Sequence, residues 1–271
     1  LADEMDRLHG PGSSIRAFLY PELARYHSDR GEYSRALADR EAFATEGNGA
    51  PQRARAAARA SLVLARSLAL AAAPAVLLDE ARAVLAEMDA NLGELGFARA
   101  DAWLALARTG LLLDDTALAT AAIERLRQDA QLNLQQNCAL NSRVAQAEGE
   151  LMRAKGQLER SRELLMQRVD YLAASPDKAF PEVWQARLDL ACTLVWLNDP
   201  AAALALSQAQ SARPAQMPAG HPLDAVQAYL QTRLHRQGAA DAVVLSARRA
   251  ADQAFGRTST QALPAALTGI F

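Results

Sequence analysis

The stretch from Trp103 to Leu126, WLALARTGLLLDDTALATAAIERL, constrains this chain more than any other. Apolar residues recur at spacings of three and four on both sides of Leu113-Asp114-Asp115-Thr116, so the stretch reads as two short helices folded back across a tight turn. A hairpin of this kind cannot cover its own apolar stripe, and a chain that repeats it can bury the stripes by stacking one hairpin on the next. The repeat is visible in the sequence. The position at which the second helix of a pair comes close to the first falls at Ala36, Ala81, Ala119, Ser161, Ala203 and Val243, at intervals of 45, 38, 42, 42 and 40 residues.

Composition favours helices throughout. Hydrophobic residues make up 51% of the chain and aromatics only 5%, so Ala and Leu carry the apolar content, and both are strong helix formers. Windows such as Ala54 to Ala72 and Ala81 to Leu92 repeat apolar residues at helical spacing, and alternation of strand type is scarce. The longest apolar run, Leu62 to Leu78, is interrupted by Arg66 and Pro74, which argues against a membrane span. A net charge of -2 and a pI near 6.1 argue against a nucleic-acid surface. No secretory signal pattern is visible and the chain opens on Leu1, which reads as a piece of a longer, cytoplasmic polypeptide.

Breaker clusters divide the chain. They fall at His9 to Ser14, Gly47 to Pro51, Ala73-Pro74, Ser175-Pro176 with Pro181, Gly220-His221-Pro222 and Phe255-Gly256. Turns within pairs are expected at Arg30 to Tyr33, at Asn198-Asp199-Pro200 and at Gly238. Residues 1–13 then read as the end of a preceding unit or a linker, 14–256 as an array of about six helix pairs, and 257–271 as a capping segment broken at Pro264. Leu263, Leu267, Ile270 and Phe271 are expected either to cap the array or to meet a second copy in a homodimer.

Trp103, Leu106, Ala107, Gly110, Ala119 and Ile123 resemble the tetratricopeptide pattern, with Ala at the usual Gly, Gly110 at the usual Tyr and Gln131 at the usual Pro. Leu23, Ala24, His27, Gly31, Tyr33 and Ala36, followed by Phe43, resemble it next best. Gly220 to Ala242 is similar to the longer kinesin-light-chain variant found in bacterial regulatory proteins. The period lies above the roughly 34 residues of the standard unit and overlaps HEAT and armadillo repeats, but short Gly or Asp turns with Ala just after them favour the tetratricopeptide reading.

The resemblance implies an all-α fold, an α-solenoid wound as a right-handed superhelix, with a concave groove lined by the first helices. It also implies a non-enzymatic scaffold that binds a protein or peptide segment. By the family's contact positions, Arg25, Arg66 and Arg108 would form a basic ladder along the groove, with Phe18, Leu104, Leu111 and Leu112 as apolar neighbours. Glu150 departs from the ladder, with Arg143 and Arg153 beside it, and Trp196 stands as a groove aromatic or, with Trp184, as core. Because a guanidinium pairs bidentately with carboxylates, the expected partner is acidic or ends in a free carboxylate. The alternative is a sensory or regulatory region of a larger signalling protein, a kinase or transcription regulator, controlled by a bound peptide or small molecule.

Catalytic patterns are missing from the sequence. His9, His27, His221 and His235 lack the spacing that puts two metal ligands on one helix face. No nucleophile elbow, phosphate loop or dinucleotide fingerprint occurs, and Asp114-Asp115 and Glu148 with Glu150 read as solvated charge. No metal or cofactor is therefore expected. Cys138 and Cys192 fall on separate helices and are expected to be buried, reduced thiols.

Overall fold

The computed structural model describes residue 7 and residues 14–46, 52–91, 96–132, 138–174, 180–236 and 242–254. These form twelve helices: α1 (Ser14–Asp29), α2 (Tyr33–Glu46), α3 (Gln52–Ala69), α4 (Pro74–Asn91), α5 (Gly96–Leu112), α6 (Thr116–Leu132), α7 (Cys138–Ala154), α8 (Leu158–Ala174), α9 (Phe180–Leu197), α10 (Ala202–Ser211), α11 (Pro222–His235) and α12 (Ala242–Ala254). No strand occurs among the described residues. The fold is all-α. Residues 257–271, with Leu263, Leu267, Ile270 and Phe271, lie outside the described residues, as do 1–13 apart from Arg7 and the side chains of Phe18 and Cys138.

Each odd-numbered helix packs on the even one that follows, and each even helix packs on the next odd one. Further contacts join α3 to α5, α5 to α7 and α9 to α11. These are the neighbours expected of stacked hairpins.

The described turns inside the first five pairs share one geometry. Gly31, Leu70, Asp114, Gly156 and Asn198 all have φ between 52° and 74°, at intervals of 39, 44, 42 and 42 residues. Just beyond each, the same backbone bond closes the first helix: the N–H of Glu32, Ala71, Asp115, Gln157 and Asp199 donates to the carbonyl of His27, Arg66, Gly110, Met152 and Leu194 respectively, at 2.8–3.0 Å. This is the left-handed helix cap that satisfies orphan carbonyls and reverses the chain within a few residues. Leu70 adopts it despite its Cβ, and its side chain is buried in the core, so burial offsets the strain.

The close-packing position holds in four pairs and shifts in two. Ala36, Ala81, Ala119 and Ser161 are buried, whereas Ala203 and Val243 are exposed and their neighbours Ala202 and Val244 are buried instead. One residue is about 100° around a helix, so a one-residue slip turns the side chain away from its partner. In the fifth pair the cause is local: the Asp199 carboxylate accepts from the Ala201 N–H at 2.8 Å and starts α10 at Ala202.

Two large apolar cores result among the described residues, beside a smaller cluster of Tyr20 and Phe43. One spans α3 to α7 around Met88, Leu126 and Leu140, and the other spans α9 to α12 around Trp184, Leu188 and Leu230. Between them lies a buried ionic layer. Arg108 of α5 faces Glu150 of α7 at 3.4 Å, and Arg168 of α8 binds Asp189 of α9. Arg153 of α7 donates to Thr193 Oγ1 at 3.4 Å. Burial pushes Asp189 up to about 6, with Arg168 and Arg153 pulling it back. Cys192 is a buried thiol pushed up to about 11 by burial, which makes it inert.

The first pair also meets the last. Tyr33 packs against the second core and edge-on to His221 at 6.2 Å. A Cβ on Gly31 would lie 2.3 Å from Pro222 Cδ. His221 caps α11 by accepting the Leu223 N–H on Nδ1 at 3.2 Å, and its ring lies 5.2 Å from that of Trp184. Arg213 stacks over the same Trp184 ring and pairs with Asp224 at 2.7 Å.

Burial lowers His221 from 6.5 to about 4; Asp224 opposes that shift, Arg213 adds to it and a backbone bond to Asp29 opposes it. A depressed folded pKa means the neutral imidazole stabilises the fold above 6.5, and that contribution is lost as pH falls toward 4. Asp189 works the other way over an overlapping range, because its raised pKa favours the fold at lower pH. The global midpoint therefore mixes the two. His221→Asn keeps a neutral capping acceptor, and the hydrogen-exchange protection factor of the Leu223 amide, taken against its intrinsic rate at each pH, is expected to fall on acidification in the native chain but not in this variant. An equal fall in both would exclude His221 as the titrating group.

Candidate functional site

The odd helices, with α2, line a partly open cavity of about 450 Å³. Arg25, Ser28 and Asp29 come from α1, Leu64 and Leu68 from α3, Asp101 from α5, Arg143 from α7, Glu182 and Gln185 from α9, and Leu223 from α11, while α2 adds Leu37 and Arg40. A second chamber of about 390 Å³ adjoins it and shares Arg40, Ser61, Asp101 and Arg143 as a common wall. The second chamber is otherwise apolar, lined by Tyr20, Pro21, Ala24, Phe43 and the alanines Ala54, Ala57 and Ala58.

Helix phase explains the wall. Arg40, one turn after Ala36, donates to Ser28 Oγ of α1 at 3.3 Å and to Ser61 Oγ of α3 at 3.1 Å, as well as to the Ala36 carbonyl at 3.2 Å. Among the described residues it forms no ion pair. Burial lowers the Arg40 pKa, and Asp101 and Asp39 oppose the shift; Asp39 is itself bonded to His27 Nδ1 at 2.8 Å. Arg143 binds Asp101 across one repeat, 42 residues away. At the other end of the larger cavity, partial burial holds the Asp29 carboxyl above its ordinary range, Arg25 pulls it down and Glu182 pushes it up.

The basic ladder does not form an open row. Arg25 is exposed, lines the cavity and pairs with Glu22 at 2.5 Å. Arg66 instead bridges Glu41 of α2 and Glu80 of α4 at 2.9 and 2.7 Å. Arg108 is 4% exposed and bound to Glu150. Equivalent positions in neighbouring pairs stack face to face, so the Glu150 that interrupts the ladder is the partner of the Arg108 one repeat earlier. Arg153 is buried beside it. Leu104 and Leu111 belong to the first core, Leu112 packs against it, and Trp196 packs against the second. The Phe18 side chain lies outside the described residues. Of the expected groove residues, the structure brings Arg25 and Arg143 to the cavity.

Arg40, Ser61 and Asp101 are the wall residues that sequence reasoning missed. A signal existed for the last: opposite charges one period apart, as in Asp101 with Arg143 and Arg108 with Glu150, each 42 residues apart. The lining supplies hydrogen-bond donors, charges of both signs and apolar side chains, with no His or Cys among its described residues. Among the described residues no cluster of His, Cys, Asp and Glu could hold a metal ion, and no helix is long and apolar enough to cross a membrane. Comparisons with protein families, curated proteins and solved structures find no match for this chain.

Proposed function

We propose that the chain is a tetratricopeptide-like α-solenoid, a right-handed superhelix of about six helix pairs, that binds a protein or peptide segment in its concave groove and catalyses no reaction. The neighbour-to-neighbour packing and the recurrent left-handed caps support the repeat reading. The observation that carries the functional reading is the cavity of about 450 Å³, to which the first helix of every pair contributes, α5 and α7 by one charged residue each in its shared wall. Its described charges balance, with Arg25, Arg40 and Arg143 against Asp29, Asp101 and Glu182. That balance suits a largely apolar segment with polar termini better than a strongly acidic one.

Ala65 lines this cavity from α3, and Ala65→Trp would fill it. Peptides selected on the native chain from a random library are expected to lose affinity for Ala65→Trp by about tenfold or more, the scale of a lost anchor pocket, when measured by fluorescence anisotropy. Leu204 is 62% exposed and away from the cavity, so Leu204→Glu is the control. Unchanged affinity in a folded Ala65→Trp variant would reject the groove as the peptide site. The second reading, a regulatory region of a larger signalling protein, draws on the adjoining chamber of about 390 Å³, whose size suits a small molecule.

A further inference from the structure

We infer that the chamber between α1, α2 and α3 is a separate binding site for a small organic acid with an apolar body, its carboxylate held by Arg40. The inference stands apart from the peptide reading, because the chamber and its lining are distinct from the larger cavity except at the shared wall.

Charge is the first argument. The described residues lining the chamber include Arg40 and Arg143 as cations and Asp101 as the one anion. Asp101 is bound by Arg143, which leaves the Arg40 guanidinium with two hydroxyls and one carbonyl as acceptors. A partly buried cation held this way gains from a carboxylate, whose charge-assisted bonds are stronger than those to neutral oxygens. One guanidinium matches a monoanion; a phosphate dianion would be left undercompensated.

Shape and polarity are the second. Beyond the wall the chamber is built from the faces of Tyr20 and Phe43 and from alanines on α1 and α3, whose small side chains leave the volume open. Phe43 is 3% exposed and Tyr20 is 8% exposed, so both rings form fixed walls. An acid with an aromatic or short aliphatic body can bury that body there while its head reaches Arg40.

The probe is 4-phenylbutyrate, titrated calorimetrically into the full chain alongside its uncharged amide. The acid is expected to bind saturably and the amide about tenfold to a hundredfold more weakly, the scale of hydrogen bonds to a charged group. Arg40→Met should remove the difference between acid and amide. Because Arg40 also ties α2 to α1 and α3 through Ser28 and Ser61, a second variant guards against a folding defect: Ala57→Phe fills the chamber without changing charge and should abolish acid binding. The tetrapeptide acetyl-Gly-Gly-Gly-Phe with a free carboxyl separates the two sources of the same chemistry, and it is expected to bind more weakly than the free acid because its chain must leave through the wall. Equal binding of acid and amide, or acid binding retained in both variants, would overturn the assignment, and so would tighter binding of the tetrapeptide. Loss of selected peptides in Ala65→Trp with acid binding intact would leave this site standing, and the converse would leave the groove standing.

Discussion

Asp189→Ala is expected to destabilise the fold by about 3–5 kcal/mol, the scale measured when one partner of a buried ion pair is removed. Asp189 and Arg168 are 1% and 4% exposed, and Arg153, 2% exposed, lies within electrostatic reach. The layer already holds three arginines against Glu150 and Asp189. Removing one carboxylate leaves a cation with no water to replace the lost partner. The double variant Arg168→Met with Asp189→Leu removes both charges, and buried pairs replaced by apolar residues of similar volume are often neutral or more stable. It should therefore lie well above the single variant. Guanidinium denaturation at pH 7.5, above the value of about 6 to which Asp189 is raised, distinguishes the two. A loss of under about 1 kcal/mol in the single variant would mean that solvent or a counter-ion reaches the layer.

Gly31→Val should destabilise by about 2–4 kcal/mol, combining a left-handed backbone that a β-branched residue adopts poorly with overpacking of the seam. Gly31 has φ 74° and its added Cβ would sit 2.3 Å from Pro222 Cδ and 2.8 Å from His221 Cδ2. Gly156 separates the two contributions. Its φ is 72°, yet an added Cβ there meets nothing within 4 Å. Gly156→Val therefore carries the backbone strain alone, and the excess loss in Gly31→Val measures the clash at the seam. Thermal unfolding gives the difference, and faster hydrogen exchange at Leu223 should accompany only the Gly31 variant. Equal losses in the two would show that the first pair swings clear of α11 without cost.

Much of this architecture is legible in the sequence. Gly31 and Asn198-Asp199-Pro200 mark two of the pair turns by residue type alone, because left-handed backbone favours Gly and Asn. Leu70 does not, since nothing local favours a leucine there and its burial is a tertiary effect. Helical periodicity likewise shows which face of a helix is apolar without showing which neighbour the polar face meets. Arg25, Arg66 and Arg108 share one phase of the repeat and read as a row. In the structure Arg66 and Arg108 are turned onto Glu41, Glu80 and Glu150 of adjoining helices. Arg40 escaped notice because it lies on a second helix, away from the positions at which the repeat pattern directs attention, and becomes part of a wall only where α1, α2 and α3 converge.

The contact between the first turn and the start of α11 changes how such an array should come apart. A row of hairpins joined only to their neighbours peels from its tips, each terminal unit held on one side. Here the turn of the first pair leans on a residue almost two hundred positions downstream, so that pair is held on two sides. Weakness introduced at the start of α11 would then be felt at the first pair as well as at its own neighbours.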